Sequence, residues 1–329
     1  MKALVIGYGS IGKRHIENLS KLKNTEIIVC TKRKNDKFLR QKKCKIFSSI
    51  NECLKEKPDF GIIANETRFH IRYALILAKS GIHMLIEKPL SDSLRNTEKL
   101  HEIVQKKKLV VLIGCNLRFH PSVELMKNMI LQGTLGKIIS TNVENGSFLP
   151  DWHPNENYQT NYAARNDLGG GVVLTCIHEI DYLYWLFGDV SSVYSITGKY
   201  SELNISADDL SAIILKFKNN IIAEAHLDYF QHPSTRNCKI IGTKGTLLWD
   251  VKKNSVLFYD IKNKKWKNKS KSSNFNLNET YVRELDHFLI CIKGKSKPIN
   301  DLKEGIYSLK IALAIKRSSK LKKSISVTK

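Results

Sequence analysis

Three glycines near the start of the sequence, Gly7, Gly9 and Gly12, have the spacing G-x-G-x-x-G. They follow an apolar run of strand length, Ala3–Ile6, and precede a segment with helical spacing. In this context the first glycine permits a tight turn, the second lets backbone N–H groups approach a pyrophosphate, and the third lets helix and strand pack closely. The spacing predicts a dinucleotide-binding turn in preference to glycines that only reverse the chain.

The next strand signal, Glu26–Cys30, is followed by Thr31, Lys32 and Arg33, and Asp36 arrives late. An NAD site usually places an acid about 20 residues beyond the glycines, where it binds the ribose hydroxyls and would repel a 2′-phosphate. A hydroxyl and two cations suit a phosphate instead. We therefore expect NADP as the preferred cofactor, with NAD as the alternative if these cations belong only to a general excess of lysine.

A lysine with possible catalytic chemistry, Lys88, comes directly after the apolar run His83–Glu87 and before Pro89. Proline biases the preceding residue to an extended conformation, and open α/β sheets bind ligands at the carboxyl ends of their strands. An ammonium group there can stabilise the alkoxide-like oxygen that forms as a secondary alcohol loses hydride. Lys88 is thus a catalytic candidate, and the alternative is an ordinary surface lysine.

The second catalytic candidate is His178, which shares a helical face with Asp181, Tyr182 and Trp185 at i, i+3, i+4 and i+7. The surrounding segment is apolar nearly all round, so we expect the helix to be buried. A buried histidine needs a hydrogen-bond partner or a chemical task. A hydrogen-bonded core histidine stays open as the alternative.

Residues 151–171 form a long irregular segment rich in Trp, His, Tyr, Asn and Arg. Aromatic faces suit sugar rings, and Arg165 could bind a substrate carboxylate or phosphate. We predict that Trp152, Tyr162 and Arg165 contact substrate, although a lid or a subunit-contact loop would have a similar composition. Arg118, at the domain junction, is a further substrate-binding candidate or a structural residue at a helix start.

The elements that position these residues divide the chain into two predicted domains. Residues 1–119 alternate five near-continuous apolar runs with helical segments, which predicts an N-terminal Rossmann domain with a doubly wound parallel sheet. One of these helical segments, 93–108, is expected to be capped by Ser91 or Ser93.

Residues 120–329 carry alternating strand signals around one helical segment, Val172–Gly188. This predicts a mostly antiparallel sheet with helices on one face, which makes the chain α/β followed by α+β. The final helices, at about Thr280–Ile292 and Leu302–Lys316, could pack back onto the first domain.

Composition limits the functional classes. The seven cysteines are scattered and never paired as C-x-x-C, so we expect no disulfide framework and no metal site. The 329 residues have a formal charge of +23, but the lysines are spread over several stretches, which disfavours a nucleic-acid partner. No apolar run approaches the roughly 18 residues of a membrane span, and the first strand begins at about Lys2, so we expect a cytoplasmic protein without membrane association.

Several motifs occur together in one order, and with them the whole chain resembles the Gfo/Idh/MocA oxidoreductase family. They are the glycine turn, "GIIANETRFH", "EKPL", "RFHP" and "GGGVVLTCIHEIDYLYWLFG". The resemblance implies an NAD(P)-dependent oxidoreductase acting on a hydroxyl or keto carbon of a sugar, sugar acid or nucleotide-linked sugar, as in members associated with bacterial surface-polysaccharide sugars. It also implies a homodimer or homotetramer.

The resemblance implies roles for individual residues. Lys88 would be catalytic or substrate-orienting, and His178 would be the general acid/base. Further residues within the motifs complete the predicted cofactor site: Ser10, Ile11, Asn65, His70, Glu87 and Lys88.

The chain departs from the inositol dehydrogenase pattern in one respect. That pattern has an aspartate one turn before the histidine, where this chain has Leu174 and Thr175. Asp181 is a candidate substitute, and both Thr175 and Asp181 are assigned to the predicted substrate site. The missing acid puts an inositol-type dehydrogenase in doubt, and it keeps open a non-catalytic dinucleotide-binding regulator.

Overall fold

A computed structural model describes residues 1–33, 36–270 and 275–328. Two of the lysine-rich stretches run into residues 34–35 and 271–274, which lie outside the described residues. The chain forms two compact units. The first holds Met1–Cys115 and Tyr281–Ile306, and the second holds Asn116–Thr280 and the chain from Tyr307 onward. The chain leaves the first unit slightly before the predicted boundary at Phe119.

The first unit contains a six-stranded sheet and helices on its connections. The strands are β1 (Lys2–Ile6), β2 (Glu26–Cys30), β3 (Lys45–Phe47), β4 (Phe60–Ile63), β5 (His83–Glu87) and β6 (Val111–Gly114). The helices are α1 (Ser10–Leu19), α2 (Lys37–Gln41), α3 (Ile50–Lys55), α4 (His70–Lys79) and α5 (Thr97–Lys106).

All six strands are parallel, in the order β3-β2-β1-β4-β5-β6. Apart from Lys2, the residues of β1 and β4 are buried on both faces of the sheet because apolar clusters cover each side. The strand order reverses between β1 and β4, the point at which open α/β sheets bind ligands. The predicted doubly wound Rossmann sheet is confirmed.

Two details of this unit differ from the sequence-based expectation. A sixth strand, β3, lies inside a lysine-rich stretch, and its three residues are too short to give a periodic signal. Helix α5 begins later than expected: Asn96, with φ of 64°, occupies the N-cap position, so the Ser91 and Ser93 caps are wrong. Asparagine tolerates this left-handed conformation better than most residues.

The second unit is built on a nine-stranded sheet. Its strands are β7 (Ile138–Gly146), β8 (Val190–Gly198), β9 (Leu210–Phe217), β10 (Ile222–Asp228), β11 (Thr235–Gly242), β12 (Gly245–Asp250), β13 (Ser255–Asp260), β14 (Lys265–Asn268) and β15 (Ile325–Ser326). The remaining helices of the chain are α6 (Pro121–Leu131), α7 (Val172–Thr175), α8 (Ile177–Phe187), α9 (Asn278–Ile292) and α10 (Leu302–Leu321).

The sheet order is β14-β13-β12-β11-β7-β10-β9-β8-β15, and its described pairs are antiparallel apart from β7 with β10. Strand β9 alternates strictly: Ile213, Leu215 and Phe217 are buried, whereas Ile214 is exposed. The buried face packs against α6, α8 and part of α10 in one apolar cluster. This confirms a mostly antiparallel sheet with helices on one face.

The second unit also differs from the expectation. The segment predicted as one helix is broken at Cys176 into α7 and α8. Strand β14 lies in a stretch read only as lysine-rich, and its four residues are exposed. Of the final helices, α9 from Tyr281 belongs to the first unit, where Phe288 stacks edge-on against Phe60 at 5.7 Å, while α10 enters the second unit at Tyr307.

Candidate functional site

The glycine turn joins β1 to α1 in the first unit. Gly7 has φ of +99°, and a side chain there would meet the backbone of Asn65 at 2.5 Å. A Cβ on Gly12 would meet the Gly7 carbonyl oxygen at 2.3 Å, whereas a Cβ on Gly9 has nothing within 4 Å. The turn is thus closely packed at Gly7 and Gly12 and open at Gly9.

Helix α1 begins at Ser10 on this turn, and its first turn carries no acidic residue. Free N–H groups at the start of a ten-residue helix favour an anion. Ile11 is half-buried beside them. The predicted residues of the turn therefore form a surface that fits a pyrophosphate.

The residues that follow β2 carry the predicted phosphate-binding groups. The Thr31 N–H donates to the Phe47 carbonyl at 2.9 Å, and the Arg33 N–H donates to Thr31 Oγ1 at 3.2 Å. The Lys32 and Arg33 side chains are exposed. The segment thus has a fixed backbone and two cations open to a ligand.

Lys88 follows β5 and is half-buried, and its peptide bond to Pro89 is cis. Its neighbour Glu87 is buried. Glu87 Oε2 accepts from the Lys88 N–H at 3.3 Å, and Glu87 Oε1 lies 2.7 Å from Nε2 of the buried His15 on α1. A buried carboxylate thus links the backbone of Lys88 to the helix that follows the glycine turn.

His70, at the start of α4, holds the other side of this region. Its Nδ1 lies 2.9 Å from the Pro89 carbonyl oxygen, and its Nε2 lies 2.8 Å from the Asn65 carbonyl oxygen. Burial lowers the pKa of His70, and the two carbonyl contacts partly offset this. His70 thereby ties the loop after β4 to the residues that follow Lys88, and this use of both ring nitrogens was not predicted.

His178 lies near the start of α8 in the second unit, with only 7% of its surface exposed. Three residues later on the helix, the Asp181 carboxylate accepts from Arg118 Nε at 2.9 Å and Nη2 at 2.8 Å. Ser308 Oγ donates to the same carboxylate at 3.1 Å. Arg118 is fully buried, so the structure brings two predicted substrate residues together as a buried ion pair.

A second buried carboxylate lies next to His178 in sequence. Glu179 Oε1 is 2.8 Å from Arg236 Nε, and Glu179 Oε2 accepts from Asn145 Nδ2 at 3.1 Å. Arg236 and Asn145 belong to the sheet, so Glu179 anchors α8 to β11 and β7. Together the two ion pairs fix the helix on which His178 lies.

We expect Asp181→Asn to lower the free energy of unfolding by about 3–5 kcal/mol, because breaking a buried ion pair leaves Arg118 with an uncompensated charge. Urea denaturation would measure this. Asp167→Asn is a matched control: Asp167 makes a similar two-point pair with Arg165, but both side chains are exposed, and we expect little change. Equal losses in the two variants would contradict the prediction.

A tyrosine that was not predicted, Tyr229, interacts with the predicted substrate residues Trp152 and Thr175. Its ring meets Trp152 edge-on at 5.4 Å. Burial raises the pKa of Tyr229 well above its usual value, and Thr175 and Tyr162 are among the groups that act on it. Trp152 is itself fixed by Nε1 donating to Ser147 Oγ at 2.8 Å.

The side chain of Arg165 bonds instead to a neighbour in its own segment, Asp167. Its guanidinium forms hydrogen bonds to both Asp167 oxygens, at 3.0 and 2.6 Å. The side chain is 44% exposed, so the pair is at the surface.

Two family models match almost the whole chain. The model described as the NAD-binding Rossmann fold of an oxidoreductase family matches residues 1–115, and the model of that family's C-terminal alpha/beta domain matches residues 127–327. The chain belongs to the Gfo/Idh/MocA oxidoreductase family. This confirms the resemblance drawn from the motifs and identifies an enzyme with an NAD-binding Rossmann domain.

Three similar proteins of known name align along nearly their full lengths. Myo-inositol 2-dehydrogenase of Thermotoga maritima is 23% identical over 99% of this chain and 98% of its own. Levoglucosan dehydrogenase, solved with NADH and levoglucosan, has a TM-score of 0.89 at 18% identity and covers 100% of both chains. The WlbA dehydrogenase of Bordetella pertussis, solved with NADH and UDP-GlcNAcA, has a TM-score of 0.84 at 22% identity over 100% of this chain and 99% of that one. At these identities the solved structures support the fold of a Gfo/Idh/MocA protein.

Within residues 1–33, 36–270 and 275–328, no group of three or more His, Cys, Asp or Glu side chains could hold a metal ion. In the same ranges, no helix combines the length and apolar character that a bilayer crossing requires.

Proposed function

We propose that this protein transfers hydride between a nicotinamide cofactor, preferably NADP, and a hydroxyl or keto carbon of a sugar, sugar acid or nucleotide-linked sugar. One observation carries the proposal. Lys88 follows β5 and the glycine turn follows β1, so both lie at the carboxyl edge of the same parallel sheet. That edge is where such sheets bind cofactor and substrate.

The first unit fits a dinucleotide. Gly7, Gly9 and Gly12 with the start of α1 would hold the pyrophosphate, and Thr31, Lys32 and Arg33 would hold a 2′-phosphate. A bound nicotinamide accepts or supplies the hydride. We assign His70 and Glu87 to support of this region, because their polar atoms contact Asn65, Pro89, His15 and the Lys88 backbone.

The chain's own residues would carry the proton and the charge. The Lys88 ammonium would stabilise negative charge on the substrate oxygen as hydride is lost, and it would polarise the carbonyl in the reverse direction. His178 would accept the hydroxyl proton at its imidazole and return it in reduction. The Arg118–Asp181 pair positions α8. This role is different from the direct substrate contact that we expected of both residues.

The names of similar proteins support a carbohydrate substrate, since they include an inositol dehydrogenase, a levoglucosan dehydrogenase and an enzyme solved with a nucleotide-linked sugar acid. Trp152, Tyr162 and Thr175 would offer aromatic faces and hydroxyls for such a ligand, and two of them, Trp152 and Thr175, interact with Tyr229. An inositol-type activity is disfavoured because Leu174 and Thr175 supply no carboxylate before His178.

We further propose that the protein assembles from identical subunits through the outer face of the nine-stranded sheet. Tyr194 on β8 and Ile214 on β9 are directly paired across the strands, and both are exposed, as is Ile196 nearby. Apolar surface of this kind commonly marks an interface.

All seven cysteines are free thiols, which supports a reducing compartment such as the cytoplasm.

The proposal is tested by following nicotinamide absorbance when NADPH or NADH is mixed with a panel of keto sugars, sugar acids and nucleotide-linked sugars. We expect oxidation with one class of sugar and tighter binding of NADPH than of NADH. Cofactor binding without turnover of any sugar class would favour a non-catalytic regulator. If neither cofactor binds, the assignment of the glycine turn is wrong.

A further inference from the structure

The glycine turn carries a side chain with an unexpected contact. Tyr8 lies between Gly7 and Gly9, is almost fully buried, and donates its hydroxyl hydrogen to Asp36 Oδ1 at 2.7 Å. Its ring is 6.3 Å from the Phe38 ring, and Lys13 Nζ lies 5.1 Å from its centre. Tyr8 therefore connects the turn that would hold the pyrophosphate to the residues that follow β2.

Asp36 is the first acid after β2 in the sequence. Its Oδ1 accepts not only from Tyr8 but also from the Phe38 N–H at 2.9 Å and the Leu39 N–H at 3.3 Å, at the start of α2. The Tyr8 hydrogen bond holds the pKa of Asp36 below its usual value, while burial raises that of Tyr8. The pair is thus an ionised carboxylate bonded to a protonated phenol.

This arrangement changes how the Asp36 charge is held and screened near a cofactor. A free carboxylate after β2 favours ribose hydroxyls and repels a 2′-phosphate. Here three donors share one oxygen of Asp36, and Lys13 and Arg33 lie close enough to act on the pair. The exposed Lys32 and Arg33 side chains would then meet a ligand phosphate without competition from this acid.

We propose that Tyr8 is a specificity-determining residue, whose hydroxyl withholds the Asp36 carboxylate from the adenosine end of the cofactor and so favours NADPH over NADH. The inference rests on the proposed NADP preference. It adds a determinant outside the cationic residues themselves, within the glycine turn.

The experiment measures Kd for NADPH and for NADH by nicotinamide fluorescence on the full chain and on Tyr8→Phe, which keeps the ring and removes only the hydroxyl. We expect the ratio Kd(NADH)/Kd(NADPH) to fall about three- to tenfold in Tyr8→Phe, the size expected when one partly screened carboxylate is released. In Tyr8→Phe/Asp36→Asn, we expect the ratio to return to within about twofold of the wild-type value, because no charge is left to release.

A third variant, Asp36→Asn alone, keeps an acceptor for the Tyr8 hydroxyl and for the first N–H groups of α2. We expect its ratio Kd(NADH)/Kd(NADPH) to differ from the wild-type value by less than about twofold. If the ratio Kd(NADH)/Kd(NADPH) rose more than about tenfold in Asp36→Asn, the carboxylate would already face the cofactor in the wild-type protein. That result would overturn the inference even if Tyr8→Phe did not fold.

The remaining outcomes separate the two proposals. A wild-type protein that binds NADH more tightly would refute the NADP preference and the role of Tyr8 with it. A wild-type preference for NADPH that Tyr8→Phe leaves unchanged would refute only the role of Tyr8. The ratio Kd(NADH)/Kd(NADPH) could also fall in Tyr8→Phe and stay low in Tyr8→Phe/Asp36→Asn. That result would mean that Tyr8 acts on the shape of the turn and not through the Asp36 carboxylate.

Discussion

Replacing Lys88 by methionine is expected to lower kcat/KM for the sugar substrate by about 10²–10³-fold, the usual cost of removing one group that stabilises a developing oxyanion. Methionine keeps much of the length and apolar volume of lysine, so Glu87 and His70 should keep their contacts with the neighbouring backbone. The dissociation constant for NADPH should change by less than about twofold, because the charge removed acts on the substrate oxygen.

Single-turnover measurements with Lys88→Met and with Lys99→Met separate this effect from the loss of any positive charge. Lys99 is exposed on α5 of the same unit, and we expect its substitution to leave both rate and binding unchanged. If Lys88→Met turned over at the wild-type rate, Lys88 would have no role in the chemistry. Weaker cofactor binding with an unchanged rate would assign Lys88 to the cofactor.

The sequence was sufficient for the fold because its main signals are local. Continuous apolar runs mark strands covered on both faces, and strict alternation marks strands with one open face, as in β1 and β9. Short elements without such periodicity were missed: β3 has three residues, and the exposed β14 lies among lysines. The break at Cys176 was missed because residues on both sides are apolar and compatible with helix.

The site could be predicted only as a set of residue types. Glycine spacing locates a phosphate-binding turn because the requirement lies in the backbone itself, at positions such as Gly7. Side-chain contacts between residues that are far apart in the sequence have no such local pattern. Arg118 and Asp181 are 63 residues apart, and their residue types predict substrate contacts without indicating that the fold pairs them with each other. Tyr229 went unnoticed because its neighbours Trp152 and Thr175 come from separate segments.

These long-range pairs change how the helix that carries His178 is interpreted. Leu174 and Thr175 supply no carboxylate one turn before the histidine, but two buried carboxylates follow it, and an arginine from outside the helix pairs with each of them. Paired in this way, Asp181 and Glu179 fix the position of α8. The backbone position of His178 is thus set by the helix that these pairs hold, so substituting His178 itself is a more direct test of its chemistry than substituting Asp181.

His178→Asn is accordingly expected to lower kcat by about 10²–10⁴-fold, the range for loss of a general acid or base. Asparagine retains a polar side chain that can hydrogen-bond in a buried position, so the stability of the second unit should be nearly preserved. The rate should also lose the limb of its pH profile that reports a histidine, because asparagine does not titrate. Steady-state rates across pH 5–9 would measure both effects.

The matched control is His226→Asn. His226 lies on β10 of the same unit with its side chain 44% exposed, paired with Asp228 at 3.1 Å, and we expect its substitution to leave the rate and its pH dependence intact. If His178→Asn kept a wild-type rate with a wild-type pH profile, His178 would be a core histidine without chemistry. If it lost rate but kept the pH profile, His178 would position substrate while another group carried the proton.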